Sequence, residues 1–180
     1  MPLPDAADAV LQDDRGRPML RFERVLGHPP ERVWSALTEA NELTSWHPSP
    51  FEFDPEVGGT VRYGVGGLGP EMPDGEVTEY HPPRSLAYTW GEDLLRWELR
   101  PHDDGCLMVL THTFDDRFKA ARDAAGWHVC LEALSASLAG AGAEDVRDPE
   151  RQPAGWTELN SAYQKRFGIP PEKATPPPAG

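Results

Sequence analysis

Six histidines, at positions 28, 47, 81, 102, 112 and 128, are the side chains of this sequence best suited to proton transfer or metal binding. Their spacing contains no HxH, HxxxH or HExxH pattern that would put two imidazoles on one face of an element. His28, His47, His81 and His102 each adjoin a proline, which places them in turns. His112, in LTHTF, and His128, in AGWHVC, lie instead within apolar runs. Either of these two is a candidate general base. The plainer expectation is that each hydrogen-bonds a Tyr, a Glu or a carbonyl and fixes a helix against a sheet. A Glu–His pair would raise the catalytic reading, and Glu79, beside Val77, is the candidate partner.

Other reactive groups are few. Cys106 and Cys130 are far apart and show no CxxC or Cys/His ligand spacing, so both are expected as reduced, semi-buried residues. No GxSxG elbow or obvious pair of inward carboxylates occurs. GVGGLG (64–69) matches a GxGxxG string, but PEMPDG follows where a dinucleotide site needs a helix. A glycine loop beside a binding site is the expectation there. No metal and no cofactor are expected.

The elements that must position these side chains follow from periodicity. MLRFERVL (19–26) predicts a strand, PPERVWSAL a helix opened by proline, and residues 39–46 a second short helix. Six strands follow, at about 51–53, 60–65, 75–80, 85–90, 94–100 and 106–114, separated by Gly-, Pro- and Asp-rich turns. A long helix spans about 119–139. Strand, two helices, six consecutive strands and a helix do not alternate as βαβ units. They predict an α+β fold with an antiparallel sheet.

Strand alternation then selects the inward face: Leu86, Tyr88 and Trp90; Leu95, Trp97 and Leu99; Met108, Leu110, His112 and Phe114. Arg96, Glu98, Arg100, Thr111 and Thr113 fall on the other face. In the long helix, Trp127, Leu131, Leu134 and Leu138 share a stripe, with His128 about 100° round from Trp127. An aromatic inner face with a few converging polar groups is the usual description of a small-molecule site.

These stretches carry a family resemblance. PPERVWSALTEANELTSWH, FDPEVGGTVRY, PPRSLAYTW, LTHTF and AGWHVCLEALSASLAG, in that order, resemble the motifs of the activator of Hsp90 ATPase homologue 1-like family, within the START/Bet v 1-like superfamily. The resemblance covers about residues 19–140. It implies a helix-grip fold, in which a curved antiparallel sheet wraps a long C-terminal helix around a hydrophobic cavity. It also implies binding of a lipid or polyketide-like molecule, or, in some branches, cyclisation or hydrolysis of one. Carried onto this sequence, the cavity residues it implies are Trp46, His47, Tyr63, Tyr88, Trp90, Trp97, His112, Phe114, Trp127 and His128. The resemblance extends only to the C-terminal domain of the chaperone activators that gave the family its name. Residues 1–18 are too short to replace their chaperone-binding domain, so a chaperone partner is not expected, although an interaction module remains an alternative.

The outer segments complete the reading. Residues 1–18 are expected as a flexible arm, 141–168 as a connector plus an amphipathic helix over about 155–167, and 169–180 as a disordered proline-rich tail. Trp156, Leu159, Tyr163 and Phe167 give that helix one apolar face, to dock on its own domain, cap the site or form a homodimer contact. A net charge of −13 excludes a nucleic-acid backbone as partner and disfavours anionic membrane surfaces. Without an apolar run of about 20 residues or a basic–apolar leader, the expectation is a soluble, cytoplasmic protein.

Overall fold

A computed structural model describes residues 9–142 and 155–176 of the chain. Its strands are β1 (Val10–Asp14), β2 (Arg17–Leu26), β3 (Phe51–Phe53), β4 (Thr60–Tyr63), β5 (Gly75–His81), β6 (Ser85–Trp90), β7 (Asp93–His102) and β8 (Gly105–Thr113). They form one antiparallel sheet in the order β1-β2-β8-β7-β6-β5-β4-β3. Helices α1 (Pro30–Thr38) and α2 (Ala40–Trp46) connect β2 to β3. The long helix α3 (Ala120–Leu138) follows β8, and α4 (Trp156–Phe167) packs beside it. The sheet is curved and unclosed and grips α3, which is the antiparallel α+β arrangement expected from the order of elements and the helix grip implied by the family resemblance.

Local chemistry explains the joints. Proline opens α1, where its missing N–H costs no helix bond. Asp116 accepts the Phe118 N–H at 2.9 Å and turns the chain from β8 into α3. In α3 the alanines at 120, 121, 124 and 125 are buried and short, which lets neighbouring elements approach the helix closely, while Trp127, Leu131 and Leu134 are its large buried side chains.

The sheet has one strand more than the periodicity indicates. Residues 10–14, expected within a flexible arm, pair with β2 from Val10↔Arg21 to Asp14↔Arg17. Arg15 and Gly16, both at positive φ, make the two-residue hairpin turn that this pairing needs. Ala9 is fully buried and donates its N–H to the Tyr163 hydroxyl at 3.2 Å. The expected arm is therefore ordered from residue 9; residues 1–8 lie outside the described residues. The proline-rich tail differs in the same way over 169–176: Ile169 is buried, and Thr175 donates its N–H to the Phe118 carbonyl at 3.2 Å. Residues 143–154, the expected connector, also lie outside the described residues, as do 177–180.

A second difference concerns Glu79. Val77 is opposite Tyr88, an inward position, but Glu79 is opposite Ala87 because the register shifts between them. The extra residue of this bulge reverses the alternation, so Glu79 emerges on the outer face. There it binds Arg96 at 2.8 and 3.1 Å, and Arg96 also binds Glu98 at 2.6 Å. Glu79 is therefore not the partner of His112 or His128; the histidine it approaches is His81, at 3.8 Å on the outer face.

Candidate functional site

Trp127, projecting from α3 onto the inner face of the sheet, is ringed by other aromatic side chains. His47, Trp90, Trp97 and His112 have ring centroids 5.6, 5.7, 5.7 and 6.2 Å from it. Strand alternation delivers Trp90, Trp97 and His112, while α2 and the Pro-Ser-Pro segment after it deliver Trp46 and His47. Further out, Trp46 meets Trp97 at 5.6 Å, Phe114 meets His112 at 5.2 Å, and Phe51 meets Tyr88 at 4.7 Å and Tyr63 at 6.1 Å. Most of these rings are fully buried. Tyr63 and Trp90 are only partly so, and they mark the end of the cluster nearest solvent.

Two hydrogen-bonded chains run through the rings. In the first, the Ser49 N–H donates to His47 Nδ1 at 3.0 Å, and His47 Nε2 lies 3.1 Å from the Tyr88 hydroxyl. Trp97 Nε1 donates to the same hydroxyl at 3.1 Å. In the second, Trp127 Nε1 donates to His112 Nδ1 at 3.0 Å, and His112 Nε2 lies 2.8 Å from Asp93 Oδ2. Lys119 Nζ donates to the same carboxylate oxygen at 2.5 Å and lies 3.7 Å from Asp123. Because a backbone or indole N–H can only donate, Nδ1 of both histidines carries the lone pair and Nε2 the proton.

The electrostatics follow from these contacts. Burial by itself would raise the Asp93 pKa, but the hydrogen bonds from His112 and Lys119 outweigh it and hold the carboxyl below its ordinary range. Burial pushes the Tyr88 and Tyr63 phenols up, so both stay protonated. Tyr63 donates its hydroxyl to the Thr89 carbonyl. Gly75 is required there, since a Cβ would collide with that same carbonyl.

Asp93, His112 and Asp123 offer ligand atoms within 4.8 Å of one another. The chain supplies its own cation, however: the Lys119 ammonium binds both carboxylates, and His112 presents a proton on Nε2. A metal ion would have to displace both.

Of the ten residues singled out from the sequence, nine come together. His128 does not. Its Nδ1 lies 3.0 Å from the Tyr163 hydroxyl of α4, on the side of α3 away from the Trp127 cluster. Burial and the nearby Arg24 lower its pKa, against a smaller opposing effect of Glu132, which favours the neutral ring. Trp46 joins the cluster with a structural bond of its own, Nε1 to the Ala36 carbonyl at 2.9 Å. Sequence reasoning missed Phe51, Ser49, Lys119 and Asp93. Asp93 was within reach, because 93 continues the inward series 95, 97, 99 of β7. The Gly-Glu-Asp run reads as turn punctuation and hides it. The glycine loop, read as a site-side hairpin, begins with a 3-10 turn at Val65–Gly67, beside Thr44 of α2.

A curved sheet gripping one long helix, with aromatic side chains gathered between them, defines a helix-grip protein of the Bet v 1-like class. The family model described as activator of Hsp90 ATPase homolog 1-like protein matches residues 27–139, and the chain belongs to that family. Solved structures share the fold. A conserved protein of unknown function from Enterococcus faecalis is 19% identical, with a TM-score of 0.71 over 89% of this chain and 90% of that one. CalU16 from Micromonospora echinospora is 21% identical, with a TM-score of 0.68 over 93% and 94% of the two chains. A Bordetella parapertussis protein is 26% identical, with a TM-score of 0.61 over the same shares, 93% and 94%. No curated protein sequence matches the chain. Among the described residues no helix is long and apolar enough to cross a membrane.

Proposed function

We propose that the protein binds a small hydrophobic or aromatic molecule against the concave face of the sheet, entering at the Tyr63–Trp90 end. The observation that carries this reading is the Trp127 cluster, a continuous set of tilted and edge-on rings that reaches a partly exposed margin. Aromatic rings offer large contact area with little side-chain entropy to lose. The glycine loop at 64–69 lies beside Thr44, Pro48 and Ser49, and Met72 lies beside Gly91, next to Trp90; these segments supply a cover for the bound molecule. A homodimer contact, one of the alternatives for the 155–167 helix, and the expected cytoplasmic location belong to the same reading without adding to it.

The test is native mass spectrometry of the full chain purified from its own host, followed by tryptophan-fluorescence titration with the molecule identified. A stoichiometric apolar compound, and saturable quenching on its return to the stripped protein, is the expected result. A chain that co-purifies with nothing and gives no saturable change with apolar aromatic compounds overturns the proposal.

The His112–Asp93 contact favours one alternative, turnover of such a molecule with His112 as general base. That reading requires Trp127 to release Nδ1, the lone-pair nitrogen it now occupies. Turnover that His112→Gln abolishes while leaving affinity intact would favour it.

A further inference from the structure

The proton inventory of the aromatic cluster deepens the binding reading, on which it rests. Tyr88 is fully buried, and its oxygen receives two N–H groups. Trp97 Nε1 can only donate, and the Ser49 N–H on His47 Nδ1 forces His47 Nε2 to donate as well. Both lone pairs of the Tyr88 oxygen are therefore in use. Its own proton has no acceptor among the described residues. Trp90, two residues along β6 and so on the same face, has a buried Nε1–H without a partner. Ser49, fully buried beside His47, likewise has an unpartnered hydroxyl.

The surplus is one of donors, and a buried donor without an acceptor is costly. The unpartnered groups are also uncharged. Lys119, the cation bonded to this cluster, is already paired with Asp93 and Asp123. A ligand carboxylate would thus be buried without a counter-ion. We infer that the site selects an apolar molecule carrying a neutral hydrogen-bond acceptor, a ketone or ester carbonyl oxygen, which takes the Tyr88 hydroxyl proton and the Trp90 indole proton.

The experiment compares matched probes on the full chain: 2-acetylnaphthalene, 2-isopropenylnaphthalene, which replaces C=O by C=CH2 at nearly the same shape, and 2-naphthoate. One-ring and three-ring analogues of each accompany them. Tyr88→Phe and Trp90→Phe are titrated beside the unmodified protein, with thermal unfolding to check that each folds. The ketone is expected to bind about tenfold more tightly than the alkene, the size of one net hydrogen bond, and more tightly than the carboxylate. That preference should shrink in both variants. The Trp90 indole N–H resonance, assigned by its absence in Trp90→Phe, should move downfield with ketone and not with alkene; this readout stands if Tyr88→Phe fails to fold.

Equal or tighter binding of the alkene overturns the inference while leaving the binding reading intact. So does a ketone preference that both variants retain, or a Trp90 resonance that the ketone leaves unmoved. Binding of none of the probes overturns the binding reading itself, and the inference with it.

Discussion

At the scale of single residues, the two buried histidines most suggestive of chemistry are held in place by their neighbours. Asp93 accepts from both His112 and Lys119, so its loss strands a buried N–H and leaves the ammonium only the longer contact to Asp123. Asp93→Ala is expected to destabilise the protein by roughly 2–3 kcal/mol, read as a lower urea midpoint at unchanged slope. Asp93→Asn should cost less, because an amide oxygen in the place of Oδ2 still accepts both bonds and only the charge is lost. His128 is a structural residue by the same logic. His128→Leu removes the hydrogen bond between this ring and the Tyr163 hydroxyl and should cost about 1–3 kcal/mol, with no change in affinity for an aromatic ligand. A ligand-affinity loss in His128→Leu that exceeds its stability loss would place His128 in the site after all.

Elements decide how the sheet and α3 are closed off. The face of α3 that does not meet the sheet is covered by α4, whose Leu159, Tyr163 and Phe167 are buried, and by Ile169 just beyond it. Gly168, in the left-handed conformation, ends α4 and turns the chain back along the domain. The Tyr163 hydroxyl joins three parts of the chain, since it meets both His128 of α3 and the backbone of Ala9 at the start of β1. Removing residues 155–180 is therefore expected to lower the melting temperature, raise binding of an apolar dye, and speed amide exchange in β1 although β1 itself is intact. Unchanged exchange in β1 would mean that the Tyr163 contact contributes nothing to its docking.

The whole molecule is strongly acidic, and its response to pH follows from which groups shift. Hydrogen bonds from Arg96 hold Glu79 and Glu98 below their ordinary range, as His112 and Lys119 do for Asp93. A depressed carboxylate contributes stability that is complete above its unfolded value, near 4.5 for Glu and 3.8 for Asp, and is lost as pH falls through the folded value. His128, also depressed, binds its proton more readily when unfolded, so its contribution is lost as pH falls below 6.5. Urea unfolding from pH 8 to pH 3 should show a shallow decline beginning near 6.5 and a steeper one below about 4.5. His128→Gln should remove only the first. A decline near 6.5 that survives this substitution would assign it elsewhere.

Much of this is legible in the sequence alone. Turn residues and periodicity separate seven of the eight strands and all four described helices, and period-2 alternation sends Tyr88, Trp97, His112 and Phe114 inward, because pleat and helix pitch are local properties of the chain. Tertiary structure alone decided three things. A single bulge residue reversed Glu79, which no alternation count registers until the partner strand is in place. Strand β1 and the chain beyond Phe167 took up order because long-range partners, Tyr163 and Phe118, were available to them. His112 and His128, equivalent in apolar context, were assigned to opposite sides of α3. Which nitrogen of a histidine holds a proton, and which buried hydroxyl is left without an acceptor, depends on groups distant in sequence meeting within about 3 Å. Such meetings are properties of the folded chain rather than of its composition or spacing.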